Sequence, residues 1–77
     1  MQLIFTHHAL QRMKQRRVSE EQIVETIELP DEIYPGDGEE ETAVRSYGSR
    51  EVRVVYHEIE PATYLILTVI KPRTTTR

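Results

Sequence analysis

His8, Arg12 and Arg16 follow one another at intervals of four residues, and Arg45, Arg53 and His57 come later in the chain. These residue types suit metal-free cleavage of RNA. That reaction needs a base for the 2′-hydroxyl, an acid for the leaving 5′-oxygen and fixed positive charge beside the phosphorane. Histidine titrates near neutrality and serves the first two roles; the planar fork of arginine matches phosphate oxygens and serves the third. On this reading His8, Arg12 and His57 are the candidate catalytic residues, and Arg16, Arg45 and Arg53 the candidate nucleic-acid contacts. Two plainer readings stand beside it. The arginines touch phosphate without chemistry, or His8 bonds a neighbour near a helix start and Arg12 pairs with Glu25 or Glu28 of an adjacent helix.

The elements that must position these residues are legible in outline. Gln2 to Phe5 reads as a short strand ended by Thr6, a good helix N-cap. From His7 to Arg16 there is neither glycine nor proline, and Ala9, Leu10 and Met13 have the spacing of one buried helical stripe. The four-residue spacing then sets His8, Arg12 and Arg16 in a row beside that stripe. Ser19 followed by Gln22 is a capping box, with Glu20 and Glu21 favourably placed in the first turn. The second helix runs from about Glu20 to Leu29, buries Ile23, Val24 and Ile27, and ends at Pro30. The two helices form a hairpin.

Beyond Pro30 the pattern is that of a sheet. Ile33-Tyr34-Pro35 fits a brief strand confined to an edge by its proline, and Gly36 to Glu41 is an acidic loop. Thr42–Tyr47 and Arg50–His57 are strands joined at Gly48-Ser49, a two-residue turn with glycine first. Alternation puts Arg53, Val55 and His57 on one face and Tyr56 on the other. Arg45 joins Arg53 and His57 opposite the first helix if the strand register allows. Glu58 to Thr63 turns the chain, and Tyr64–Lys71, apolar on both faces, is expected as the central strand. The fold class expected is α+β, in the order β-α-α-β-β-β, with the helical hairpin on one face of a small antiparallel sheet. Residues 1–72 form a single domain and 73–77 a flexible tail.

Seventy-seven residues, 38% apolar and 30% charged, suit one soluble globular domain with a small core and no lobe for a cofactor. The chain has no cysteine, which excludes disulfides, thiolate zinc sites and cysteine nucleophiles. Adjacent His7 and His8 point in different directions on a helix, and Glu39-Glu40-Glu41 lacks calcium-loop spacing, so no metal is expected. No apolar run approaches a bilayer span and no signal-like start is seen, which gives a cytoplasmic expectation. The net charge of −3 hides a strong asymmetry. Residues 1–17 carry +4, residues 18–42 carry −10 and residues 43–77 carry +3. Local field rather than net charge steers an anionic partner.

The stretch Phe5-Thr6-His7-His8-Ala9-Leu10-Gln11-Arg12-Met13 resembles the opening of the short bacterial proteins of domain-of-unknown-function family 4258. So do the basic helix end Lys14-Gln15-Arg16-Arg17, the capped start Val18 to Ile23, the Pro30–Tyr34 stretch and the apolar strands that follow. The resemblance spans roughly residues 4 to 71. The layout is also similar to the RelE/ParE superfamily of toxins, and Arg45-Ser46-Tyr47-Gly48 with Val54-Val55-Tyr56 looks like the matching region of BrnT-type toxins. That resemblance implies a RelE-like fold, a toxin-related protein that acts on or binds RNA as a metal-independent endoribonuclease, and an antitoxin as partner. RNA-cutting members tend to be basic, whereas this chain has a pI near 5.6. The alternative is a non-catalytic protein-interaction module of the same fold. An exposed edge strand also raises the expectation of a homodimer.

Overall fold

The computed structural model describes residues 1–70; the expected tail at 73–77 and the end of the expected domain lie outside them. Strand β1 (Gln2–Phe5) leads into helix α1 (His7–Arg16) and helix α2 (Glu20–Glu28). Strands β2 (Glu32–Pro35), β3 (Glu41–Tyr47), β4 (Arg50–Glu60) and β5 (Thr63–Ile70) follow. The expected α+β class is observed. The sheet has five strands in the order β1-β5-β4-β3-β2.

The sheet is mixed rather than purely antiparallel, because β1 pairs with β5 in parallel while the other pairs are antiparallel. The cause is β2. Each helix and each hairpin strand reverses the chain, so one more strand than the expected order turns the last strand parallel to the first. The middle position belongs to β4, not to β5, which lies between β1 and β4.

Local signals hold the helix ends. The Thr6 side chain accepts from the Ala9 N–H at 3.0 Å, and Ser19 and Gln22 form the reciprocal capping box. Arg17 closes α1 in the left-handed conformation at φ 57°, with N–H groups of Arg17 and Val18 reaching the Lys14 and Met13 carbonyls. This is a Schellman-type end, and it turns the chain directly into α2. The two helices joined by this turn cover one face of the sheet, as expected. α1 lies over β1 and β5, α2 lies over β3 and β4, and each helix packs on the sheet rather than on the other.

Between helices and sheet lies the core: Ala9, Val18, Ile23 and Ile27 above, Ala43, Val52, Val54, Tyr56, Ile66 and Val69 below. Strand β5 contributes Tyr64, Ile66 and Val69 to this one side. Simple alternation forbids that set, and a bulge supplies the extra residue. Tyr56 pairs with Ile66 but Val55 with Thr68, so Leu67 has no partner and the parity switches there. The apolar character of both faces of β5 is therefore the trace of a bulge. Among the described residues no helix covers the opposite face of the sheet.

Candidate functional site

On α1 the row expected from spacing is present. Arg12 donates its Nε–H to His8 Nε2 at 3.4 Å and an Nη1–H to Gln15 Oε1 at 2.9 Å. Both acceptors are uncharged when His8 accepts in this way, so neither cancels the guanidinium charge. The ring nitrogen of His8 that accepts this bond is also one that a general base would use. His8, Lys14, Arg16 and Arg17 are exposed and Arg12 is half-buried. The plainer reading of Arg12 paired with Glu25 or Glu28 gives way to these two contacts within α1. Glu25 instead accepts the hydroxyl of Tyr47 at 2.7 Å, which ties α2 to β3.

The sheet separates the remaining candidates. Arg45 pairs with Val52 and Arg53 with Val44, so the two arginines stand on opposite faces. Arg45 lies on the helix-covered side. Its Nη1 donates to the carbonyl of Leu29 at 2.7 Å, its guanidinium stacks over the Tyr47 ring at 5.4 Å, and its Nε is buried without a hydrogen-bond partner among the described residues. A cation is favoured there by the carbonyls at the C-terminal end of α2. This placement ties Arg45 to the end of α2.

Arg53 and His57 share the helix-free face, as alternation required. Each has an acid beside it: Arg53 Nε meets Glu51 at 3.1 Å, and His57 Nε2 meets Glu39 at 3.1 Å. The second contact draws the acidic loop after β2 to the sheet. Nearby on the same face Tyr34 donates its hydroxyl to Glu32, and that bond raises the Tyr34 pKa above its ordinary value. Ile70 pairs with Arg53, Leu65 with His57 and Thr68 with Val55 between them, so Val55, Leu65 and Ile70 set apolar side chains beside the charged groups.

His8 and Arg12 thus sit above one face and His57 beneath the other, with the sheet between them. They do not converge on one phosphate. The charge asymmetry acquires a shape instead. The cationic segment lies with α1 over β1 and β5, and the acidic segment lies with α2 and β2 at the opposite half of the molecule. Among the described residues no cluster of three or more His, Asp or Glu side chains is arranged to hold a metal ion. No helix of the described residues is long and apolar enough to cross a membrane.

Sequence reasoning missed Gln15, Glu39 and Tyr47 as partners of the candidate residues. Gln15 carries a local signal, three residues beyond Arg12; the other two depend on contacts across the fold. Tyr56 lies in the core, on the face opposite Arg53 and His57, and its hydroxyl donates a hydrogen bond to Glu41 at 3.1 Å. Burial first, and that bond second, push its pKa up to about 12.

A family model described as Domain of unknown function (DUF4258) matches residues 5–71. No curated protein and no solved structure matches the chain significantly.

Proposed function

The chain belongs to the DUF4258 family, whose description assigns no activity, and from that premise we propose that it is a toxin-related protein that binds the phosphate backbone of RNA through α1 without cutting it. The observation that carries this reading is the Arg12 guanidinium, held by two uncharged side chains at 3.4 and 2.9 Å on a helix whose last turn is basic. Held in that way it keeps its charge and its orientation, which is what a phosphate contact requires. Binding rather than cleavage follows from the separation of His8 and His57 by the sheet, since acid and base must reach the same phosphate.

The test is fluorescence anisotropy with a single-stranded RNA across a salt series. Arg12→Ala and Lys14→Ala should each weaken binding severalfold and lower the salt slope by about 1, while His57→Ala leaves it unchanged and wild type leaves the RNA intact. Equal affinity for all variants removes the binding claim. Cleavage by wild type that His8→Ala abolishes restores the nuclease reading in place of this one.

A second reading is favoured by the helix-free face, where Arg53 and His57 are each balanced by an acid beside an apolar strip. Such a surface suits a protein partner, an antitoxin included, better than a polyanion. Recovery of a protein from lysate that is indifferent to nuclease treatment, together with loss on Val55→Lys, supports this module in place of RNA binding.

A further inference from the structure

The two edges of the sheet differ in kind. On β2 the residues that bond to β3 alternate with Ile33 and Pro35, whose main chains face outward. Pro35 has no N–H to offer, and Asp31, Glu32, Asp37, Glu39 and Glu40 surround the strand with negative charge. That edge carries two of the devices that keep strands from pairing further.

The other edge carries neither. Gln2 donates its N–H to the Ala62 carbonyl at 2.8 Å and Thr6 to the Ile66 carbonyl at 3.1 Å. The even-numbered residues of β1 therefore bond to β5, and the N–H and C=O of Leu3 and Phe5 point away from the sheet. Gln2-Leu3-Ile4-Phe5 contains no charge and no proline. The side chains of Leu3 and Phe5 pack on the core, whereas Ile4 lies on the helix-free side and is 41% exposed.

We propose that β1 pairs antiparallel with β1 of a second copy of this chain, about a two-fold axis at Ile4, to make one sheet continuous through both copies. In this register Leu3 stands opposite Phe5 of the other copy and exchanges two hydrogen bonds with it. The second Leu3–Phe5 pair does the same. All four outward groups on each edge are then satisfied, and the two Ile4 side chains meet across the axis. The strand itself sets no like charges opposite one another, as the acid-rich β2 edge would. The contact closes on itself, whereas β1 against β2 would continue without end. A four-residue ladder is small, so the association belongs to the weak class. It is independent of RNA binding.

The absence of cysteine makes the test direct. In the proposed register Ile4 faces itself as a non-hydrogen-bonded pair, with Cα atoms about 4.5 Å apart, inside disulfide range. Gln2, on the same face, would lie roughly 13 Å from its own symmetry mate. Under an added oxidant the full chain with Ile4→Cys should form a disulfide-linked dimer at least about tenfold faster than Gln2→Cys or Tyr34→Cys, a rate ratio set by proximity. In sedimentation velocity Ile4→Lys should weaken the self-association of the wild type about tenfold, as like charges are brought together in each dimer. Its far-ultraviolet spectrum should be unchanged, since Ile4 is exposed. Equal linking by the three cysteine variants, faster linking at Tyr34, a monomeric wild type, or an Ile4→Lys chain that associates as wild type does would each overturn the proposal.

Discussion

Tyr47 donates its hydroxyl to the Glu25 carboxylate at 2.7 Å, a bond between residues 22 positions apart that fastens α2 to β3. Burial, with this bond second, raises the Tyr47 pKa above its ordinary value. Tyr47→Phe should cost about 1 kcal/mol in denaturant unfolding and leave RNA affinity as it is. A change in affinity equal to that of Arg12→Ala would mean that Glu25 and α1 are coupled.

The opposite placement of Arg45 and Arg53 gives a contrast between two arginines of one hairpin. Arg45→Ala should destabilise by about 1–2 kcal/mol, because the hydrogen bond to the end of α2 and the packing of the guanidinium on Tyr47 are lost together. Arg53→Ala should cost less than about 1 kcal/mol, since its ion pair is solvent-exposed. Equal losses in parallel urea titrations would contradict the face assignment.

Thr6 has two partners on one hydroxyl. It accepts from the Ala9 N–H at 3.0 Å and donates to the carbonyl of bulged Leu67 at 3.0 Å. Thr6→Ala should therefore cost about 2 kcal/mol, the upper part of the range for a lost cap, whereas Thr6→Ser should retain most of the stability. If both variants melt alike, the hydroxyl is not what joins α1 to β5.

Tyr56 gives a pH dependence with a defined sign. Its pKa in the folded chain is about 12, above the unfolded value of 10.0, so the protonated ring is favoured by folding. That stability is complete below pH 10 and is lost as the pH rises through 12. Tyr56→Phe should be less stable than wild type at neutral pH, and the difference between the two should shrink between those values. Wild type and variant losing stability in parallel over that interval would argue that Tyr56 does not titrate there.

What the chain disclosed in advance was its local chemistry. Thr6, Ser19 and Gln22 act within three residues, and both caps formed where the residue types placed them. Gly48 takes the positive φ of 69° that a two-residue turn with glycine first requires. That turn already carried the separation of Arg45 from Arg53. Pairing Tyr47 with Arg50 forces Arg45 opposite Val52, an apolar position, so the signal was present in the hairpin itself. The switch at Leu67 was not legible, because an unbroken apolar run gives no alternation from which a bulge can be detected. The acids beside Arg53 and His57 fall in the same gap: His57 meets a loop residue whose position depends on β2 joining the sheet. Family membership was legible from the order of motifs over most of the chain. The separation of His8 from His57 was not, since helix spacing and strand parity each fix a face but not how the two faces relate.

The parallel pairing of β1 with β5 has a consequence for synthesis. The hydroxyl of Thr6 waits for a carbonyl 61 residues downstream, so the first strand and the helix after it have no docking place until β5 has left the ribosome. A chain arrested after Glu60 would hold its amino-terminal sixteen residues as an unattached leader. Protease sensitivity of that leader in stalled chains, disappearing once residue 70 has cleared the exit tunnel, is the order of assembly that this topology imposes.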